Sequence, residues 1–102
     1  MMRKRIKIEL QYFRGCPNAE QMITNVRNAI RNLAYDIDCQ EVLVEDNETA
    51  ERLGFRGSPT LLINGKDFTG MPEPDTACLA CRVYPDGIPT TEQIVTEISS
   101  ME

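Results

Sequence analysis

The chain reads RIKIELQYFRGCP over residues 5–17, and this stretch predicts a strand that runs directly into a helix. Apolar and polar side chains alternate strictly at its start, which is the pattern of a strand covered mainly on one face. The positions on one side are Ile6, Ile8, Leu10 and Tyr12, and those on the other are Arg5, Lys7, Glu9 and Gln11. Pro17 suits the first turn of a helix, because its missing N–H would have no partner there. We therefore predict a strand over residues 5–12 and a helix that begins at Cys16 or Pro17.

Four further elements are predicted after this helix, and the last two form a hairpin. Apolar periodicity extends the helix, branched residues mark strands, and polar residues or glycine mark the breaks between them. The first helix is predicted to end near Ala34, and a polar break follows over residues 35–38. We then predict a strand over residues 41–44 and a short helix that Asp46 or Asn47 caps and that Gly54 stops after Leu53. Two further strands are predicted over residues 60–63 and 66–69. Asn64-Gly65 joins the last two, and this pair is the strongest short signal for a two-residue hairpin turn.

Residues 70–89, here called the cysteine loop, have no regular periodicity and contain four of the six prolines. We predict a long loop there, and loops of this length are usually functional or mobile. The loop contains Cys78 and Cys81. A terminal helix is predicted to follow, since Thr90 and Gln93 have the spacing of a capping box.

These elements predict one α/β domain over residues 1–102 in the order β-α-β-α-β-β-α, with a four-stranded mixed sheet and three helices. A chain of this length accommodates one hydrophobic core, since domains usually span about 50–250 residues. We expect two right-handed crossovers to give parallel strands, and the hairpin to add an antiparallel edge.

Composition excludes several classes of function. The formal net charge of −5 argues against nucleic acid as a partner, because phosphate backbones attract basic surfaces. No run of about 18 apolar residues predicts a membrane span. The basic residues 3–5 precede an alternating segment instead of the apolar run of a signal peptide, so we expect a cytoplasmic protein that does not bind membranes.

The chain contains no histidine, so Cys–His catalytic pairs and zinc sites with imidazole ligands are excluded. It also has no glycine-rich dinucleotide loop and no phosphate-binding lysine motif, so we expect no organic cofactor.

Two motifs resemble the thioredoxin superfamily: Cys16-Pro17 at the start of the first helix, and Ser58-Pro59, followed by threonine, before the third strand. The resemblance covers nearly the whole chain and implies a thioredoxin-like fold. It also implies a cis peptide bond before Pro59, with that proline lying against Cys16, and it assigns the alignment of a substrate to Ser58, Pro59 and Pro17. A purely architectural turn is the alternative role for Pro59.

The nearest resemblance is to small thioredoxin-like proteins, some of which are grouped with alkylmercury lyases. These proteins carry Gly-Cys-Pro after the first strand and Arg-Gly-Ser-Pro-Thr at a second site, which in this chain is residues 56–60, here called the proline loop.

The sequence departs from the dithiol thioredoxins at the second cysteine of their motif. It reads Cys16-Pro17-Asn18-Ala19, so alanine stands where those proteins have a resolving cysteine. The tryptophan that precedes their motif is also missing. The resemblance therefore leaves open a monothiol mechanism, as in some glutaredoxins.

Cys16 is the candidate nucleophile. The unpaired N–H groups and the dipole at the start of a helix stabilise a thiolate, which is the reactive form of cysteine. The alternative is that Cys16 is an inactive remnant of the fold, since fold and function separate readily. Cys39 has no neighbour that suggests chemistry, and we expect it to pack in the core or at an edge.

Cys78 and Cys81 have the Cys-x-x-Cys spacing of a redox pair or of half a zinc site. The predicted topology brings the start of the cysteine loop to the end of the sheet where Cys16 lies, so either thiol could resolve a mixed disulfide formed at Cys16. Two alternatives stay open. The two cysteines could simply fix the loop by packing, or all three could form a soft-metal or mercury site, although the fourth ligand of a zinc-type set is missing.

The sequence thus predicts a thiol–disulfide oxidoreductase-like protein, with Cys16 as a monothiol nucleophile and Cys78 or Cys81 as a remote resolving cysteine. Its expected partner is a thiol or disulfide substrate, either a protein or glutathione, and no resident metal is expected. The alternatives are a redox-inactive thioredoxin-like protein-binding module and a protein that captures a soft metal or an organomercurial through its thiolates.

Overall fold

Seven regular elements follow the predicted order in the computed structural model of the protein, which describes residues 5–31, 33, 35–77 and 79–101. They are β1 (Arg5–Tyr12), α1 (Pro17–Arg31), β2 (Asp36–Leu43), α2 (Asn47–Leu53), β3 (Thr60–Ile63), β4 (Lys66–Asp67) and α3 (Thr91–Ser99). Within the described residues, four strands form one mixed sheet accompanied by three helices, which confirms the predicted α/β class. In that part of the chain no helix is long and apolar enough to cross a membrane.

The strands lie in the order β2-β1-β3-β4. β1 and β2 are parallel, whereas β3 is antiparallel to both β1 and β4. The prediction of two crossovers between parallel strands is therefore wrong for the second. β2 ends at Leu43 opposite Tyr12, and β3 begins at Thr60 opposite Gln11. The connection through α2 therefore starts and finishes at the same end of the strands. The chain enters β3 at that end and runs back antiparallel to β1.

β2 is longer than predicted. It begins at Asp36 instead of residue 41, because its parallel register with β1 already starts with Asp36 opposite Arg5. β2 is an edge strand, so its polar side chains can face solvent while its backbone pairs with β1. The polar residues at 36–38 are therefore part of the strand and not a break before it.

Two other element ends differ from the prediction or lie beyond what can be described. β4 ends at Asp67 instead of Thr69, because the Asp67 carboxylate accepts hydrogen bonds from the N–H groups of Thr69 and Met71 and so turns the chain away from the sheet. α1 runs to Arg31, and its predicted end, Ala34, lies outside the described residues.

The predicted start and end of α2 and the predicted start of α3 are confirmed. Asp46 caps α2 by accepting a hydrogen bond from the N–H of Thr49 at 2.7 Å, and Gly54 ends the helix in the left-handed conformation, with φ of +64°. Thr90 and Gln93 form the capping box of α3, in which each side chain accepts a hydrogen bond from the other residue's N–H.

One face of the sheet carries the main core. β1 and β3 share this face through two opposed pairs, Ile8 with Ile63 and Leu10 with Leu61. α1 and α3 pack on it, and the buried members of the cluster are Ile6, Ile8, Leu10, Met22, Val26, Ala29, Leu61, Ile63, Ile94 and Ile98. A smaller cluster at α2 consists of Val44, Ala50, Phe55 and Ala77. Since Ala77 belongs to the cysteine loop, the first part of that loop is anchored beside α2.

The other face of the sheet is polar where it meets the cysteine loop. Thr60 and Asp67 point to this face, and Arg82 of the loop lies on it with 6 % of its surface exposed. The Arg82 guanidinium binds both oxygens of the Asp67 carboxylate, with Nη1–Oδ1 at 2.6 Å and Nη2–Oδ2 at 2.9 Å. Nη1 also lies 3.4 Å from Thr60 Oγ1. This bidentate pair fixes the second part of the cysteine loop to the sheet.

Tyr84 adds a second attachment for the same segment. The Arg82 guanidinium lies 4.7 Å from the centroid of the Tyr84 ring, and the Tyr84 hydroxyl donates a hydrogen bond to the carbonyl of Pro59. Burial raises the pKa of Tyr84 to about 12, so the hydroxyl keeps the proton that this bond needs. Residues 82–84 are therefore held both by the sheet and by the proline loop.

The ion pair between Arg82 and Asp67 is removed from solvent, since the two side chains are 3 % and 2 % exposed. Burial alone would raise the pKa of Asp67, but hydrogen bonds from Arg82, Met71 and Thr69 outweigh that effect and lower the pKa to about 2. Removing one partner of a buried pair leaves the other charge without compensation, which typically costs several kcal/mol.

We expect Asp67→Asn to lower the free energy of unfolding by about 3 kcal/mol at neutral pH, because Arg82 keeps its charge and loses its partner. The pKa of Asp67 is about 2 in the folded protein and 3.8 as its ordinary value. Stabilisation by the carboxylate is therefore complete above the higher pKa and is lost as the pH falls through the lower one. Urea denaturation of both proteins across this pH range should show the difference between them shrinking in acid.

Asp75→Asn is the matched control, because it neutralises an exposed carboxylate that belongs to the cysteine loop. It should change the free energy of unfolding by less than about 0.5 kcal/mol. An equal effect of the two substitutions, or a difference between wild type and Asp67→Asn that does not vary with pH, would contradict the role assigned to Asp67.

Candidate functional site

Cys16 lies at the turn between β1 and α1, directly before the first helical residue, Pro17. The Cys16 carbonyl accepts a hydrogen bond from the N–H of Ala19 at 3.1 Å, which starts the helix. The Cys16 thiol donates a hydrogen bond to the carbonyl oxygen of Ser58 at 3.6 Å. The residue is only 4 % exposed. A thiol therefore sits at the N-terminus of a 15-residue helix, buried against the proline loop.

The proline loop is attached to the end of β1. Ser58 is fully buried, and its Oγ accepts a hydrogen bond from the N–H of Phe13 at 3.2 Å. The peptide bond between Ser58 and Pro59 is cis. This attachment places the backbone of Ser58 next to Cys16.

Cys81 lies beside the proline loop because its two neighbours bind the backbone of Ser58. The N–H of Ser58 donates to the carbonyl of Ala80, and the N–H of Arg82 donates to the carbonyl of Ser58, both at 2.9 Å. The two bonds form a short parallel bridge that sets Cys81 opposite Ser58. Since the Cys16 thiol donates a hydrogen bond to the Ser58 carbonyl, Ser58 contacts Cys16 and pairs with Cys81. The structure thus brings together two cysteines that are far apart in the sequence.

The two thiols differ in exposure, and the pKa of the Cys81 thiol is raised. Cys16 is buried and Cys81 is exposed, and both are free thiols. Desolvation of the thiolate raises the pKa of Cys81, and the neighbouring Cys16 raises it further. Cys81 therefore stays protonated to a higher pH than a free thiol does.

Gly57 is required by the close approach of the cysteine loop to the proline loop. Its φ of +107° lies in the region that side chains rarely adopt, and a Cβ on Gly57 would lie 2.8 Å from the Cβ of Arg82. A larger residue would push Arg82, and with it Cys81, away from Ser58. Glycine at this position therefore helps to keep the two thiols together.

Two cavities flank the thiols. One, of about 280 Å³, lies beside the turn that precedes Cys16 and is lined by Phe13, Arg14, Val44, Glu45 and Leu79. The other, of about 120 Å³, is lined by Phe55, Arg56, Gly57, Pro74, Thr76, Ala80 and Cys81. The smaller cavity includes Cys81 in its wall, whereas the larger contains neither thiol. A third cavity, of about 680 Å³, lies at the start of α3, away from both sulfurs.

The other residues predicted for the site lie apart from this pair or cannot be described. Pro17 begins α1 and is exposed. Cys39 lies on β2 opposite Ile8 and packs against the main core, as predicted, and burial raises the pKa of its thiol, as does the Glu41 carboxylate. Cys78 lies outside the described residues, so its role as a resolving thiol or metal ligand stays a prediction. Among the described residues, no group of three or more His, Cys, Asp or Glu side chains could hold a metal ion.

Sequence reasoning missed Arg82, Asp67 and Tyr84, which hold Cys81 in place. Their local patterns carry no signal, because Arg82 and Asp67 are 15 positions apart and meet only after the cysteine loop folds back on the sheet. The one available clue is that Arg82 directly follows the second cysteine of the Cys-x-x-Cys pair.

Comparison with known proteins agrees with this geometry. A family model described as a thioredoxin domain matches residues 4–78, about three quarters of the chain. No curated protein and no solved structure matches the chain with significance. The matched segment includes Cys16 and the proline loop, while Cys81 and Arg82 lie beyond its end. Fold, motif positions and family model agree, and the chain belongs to the thioredoxin-domain family.

Proposed function

We propose that this protein is a thiol–disulfide oxidoreductase whose working pair is Cys16 and Cys81. The observation that carries the proposal is the position of Ser58 between the two cysteines: its carbonyl accepts a hydrogen bond from the Cys16 thiol, and its backbone is bridged to Cys81. Cys81 supplies the second thiol that Ala19 cannot supply at the position where a dithiol thioredoxin has its resolving cysteine. Ser58 and Pro59 align the thiol that exchanges with Cys16, and the bridge between Ser58 and Cys81 supports Cys81 in that role.

The reaction consumes one partner disulfide, R–S–S–R′. One thiolate of the pair attacks a sulfur of the partner, the partner S–S bond breaks, and R′SH leaves with the proton. This leaves a mixed disulfide between the first cysteine and R. The second thiol then attacks the cysteine sulfur of that mixed disulfide, RSH leaves, and a disulfide between Cys16 and Cys81 remains. The protein loses two electrons and two protons, and the partner gains them. The reverse reaction uses two thiols as the reductant.

The helix position of Cys16 explains why the pair is suited to this chemistry. The free N–H groups and the positive end of the α1 dipole stabilise negative charge at the Cys16 sulfur, whether it attacks as a thiolate or departs as one. The partner is a thiol or disulfide, either glutathione or a protein. We place the activity in the cytoplasm, where the glutathione and thioredoxin systems keep such a pair reduced between turnovers.

A redox-inactive binding module is the main alternative to this function. Such a module would offer the backbone of Ser58 to a partner chain, but Ala80 and Arg82 already occupy both of its hydrogen-bonding groups. The free thiols of the pair and this occupied edge favour exchange over binding.

We expect oxidised glutathione to produce a disulfide between Cys16 and Cys81. Trypsin separates the two cysteines, since Cys16 falls in the peptide of residues 15–27 and Cys81 in that of residues 67–82. Peptide mass spectrometry under non-reducing conditions should therefore detect these two peptides linked. The 67–82 peptide also contains Cys78, and Cys78→Ser removes that ambiguity. The link should persist in this variant, because the proposed partner of Cys16 is Cys81.

Cys39→Ser is the control for non-specific oxidation and should not change the yield of the link. Loss of the link in Cys78→Ser, or the recovery of Cys16 as a free thiol at every ratio of reduced to oxidised glutathione, would refute the proposed pair.

We expect Gly57→Ala to make the disulfide between Cys16 and Cys81 easier to reduce, because the new Cβ pushes Arg82 away from the proline loop. A tenfold change in the equilibrium constant with glutathione corresponds to about 30 mV in reduction potential, and we expect a shift of about this size. Equilibration in glutathione buffers, followed by quantification of the linked peptides, measures it.

Gly87→Ala is the matched control, because Gly87 also has a positive φ, of +83°, but has no atom within 4 Å of an added Cβ. Both variants carry the backbone strain of alanine at positive φ, and only Gly57→Ala adds the clash. Equal potentials in the two variants would show that the contact with Arg82 does not control the pair.

A further inference from the structure

The two sulfurs are not equally open to a partner. Cys16 is 4 % exposed, and its thiol lies against the carbonyl of Ser58, the same carbonyl that binds the N–H of Arg82. Cys81 is exposed and forms part of the wall of the 120 Å³ cavity. The sulfur that a partner meets first is therefore that of Cys81.

The backbone of Ser58 limits the kind of partner that can approach. Its N–H and its carbonyl are both occupied by the segment from Ala80 to Arg82. That segment is held in turn by the buried ion pair to Asp67 and by the bond from Tyr84 to Pro59. An extended polypeptide cannot pair with Ser58 while the segment is bound, whereas a small molecule can reach the exposed sulfur without displacing it.

Resting on the thiol–disulfide exchange proposed above, we infer that Cys81 is the sulfur that exchanges with the outside partner, that Cys16 is the internal thiol of the pair, and that the partner is a low-molecular-weight thiol or its disulfide. This order differs from the one expected from the helix position of Cys16, in which Cys16 engages the partner and the cysteine loop supplies the resolving thiol.

The chemical steps balance with such a thiol, RSH, as the reductant. Starting from the internal disulfide, RS⁻ attacks the Cys81 sulfur, the bond between the two protein sulfurs breaks, and Cys16 departs as a thiolate that takes up the proton of RSH. A second RS⁻ attacks the R sulfur of the mixed disulfide at Cys81, R–S–S–R leaves, and the Cys81 thiolate takes the second proton. Two thiols lose two electrons in total, and the protein disulfide gains them.

The identity of the leaving group favours attack at Cys81. Exchange is faster when the departing sulfur is the more stable thiolate. Attack at Cys81 expels Cys16 into the N-terminus of α1, where the helix dipole stabilises the charge. Attack at Cys16 would expel Cys81, whose pKa is raised by desolvation and by its neighbour. Access and leaving-group stability therefore select the same sulfur.

The test follows the reduction of the internal disulfide in Cys78→Ser, which leaves Cys81 as the single cysteine of the 67–82 peptide. The oxidised protein is mixed with reduced glutathione, acid stops the reaction at intervals, and mass spectrometry locates the glutathione adducts. We expect at least a tenfold excess of adduct on the 67–82 peptide over the 15–27 peptide that carries Cys16. An excess on the 15–27 peptide, or equal amounts on both, would overturn the inference.

Two single variants separate slow formation of the adduct from fast resolution. With oxidised glutathione, Cys16→Ser should accumulate a stable adduct at Cys81, because the internal thiol that would displace it is missing. Cys81→Ser should form the adduct at Cys16 at least tenfold more slowly, and unfolding in urea should abolish that difference. Absence of the adduct in Cys16→Ser, or equal rates in the two folded variants, would overturn the inference.

The failure of this order is distinguishable from the failure of the proposed function. If the disulfide between Cys16 and Cys81 forms and is reduced but the adduct lies on Cys16, the exchange reaction stands and only the order is wrong. If no such disulfide forms at any glutathione ratio, both the function and the order are wrong.

Discussion

The buried ion pair between Arg82 and Asp67 is the interaction on which the arrangement of the site depends. The cysteine loop contains no helix or strand of its own among its described residues, so its position comes from side-chain anchors. Arg82 supplies the strongest of these, with two short bonds to one carboxylate on a face from which water is excluded. Because Cys81 directly precedes Arg82, the anchor that holds the loop also sets the distance between the two thiols. Without it, the loop would keep only the hydrogen bonds to Ser58, the bond from Tyr84 to Pro59 and the packing of Ala77.

The origin of the second thiol distinguishes this protein from domains in which both thiols share one helical turn. In a Cys-x-x-Cys site, local backbone geometry alone keeps the sulfurs together, whereas Cys16 and Cys81 are separated by 65 positions. A disulfide between them would close a loop that, in the chain-entropy model, stabilises the fold by about 4 kcal/mol. The redox state of the pair and the stability of the cysteine loop are therefore coupled, and the contacts that hold the loop firmly also favour the disulfide.

Local sequence patterns predicted the features of the fold that depend on residues close together in the chain. Alternation predicted β1, capping residues predicted both ends of α2 and the start of α3, and Asn64-Gly65 predicted the hairpin, because each depends on residues a few positions apart. The start of β2 and the direction of β3 could not be predicted in this way, since both depend on pairing with β1. The early end of β4 depends on side-chain hydrogen bonds to Asp67, which no periodicity reveals.

The candidate site also has one part that local sequence predicts and another that only the folded chain decides. The residues around Cys16 are enough to place a thiol at the start of a helix, and the spacing of the later cysteines is enough to suggest that the cysteine loop supplies a second one. Which sulfur meets Cys16, and which of the two is exposed, follows only from the folded chain. The reason is that the hydrogen bonds to Ser58 and the ion pair of Arg82 join residues that are distant in sequence, so their effect exists only once the loop has packed on the sheet.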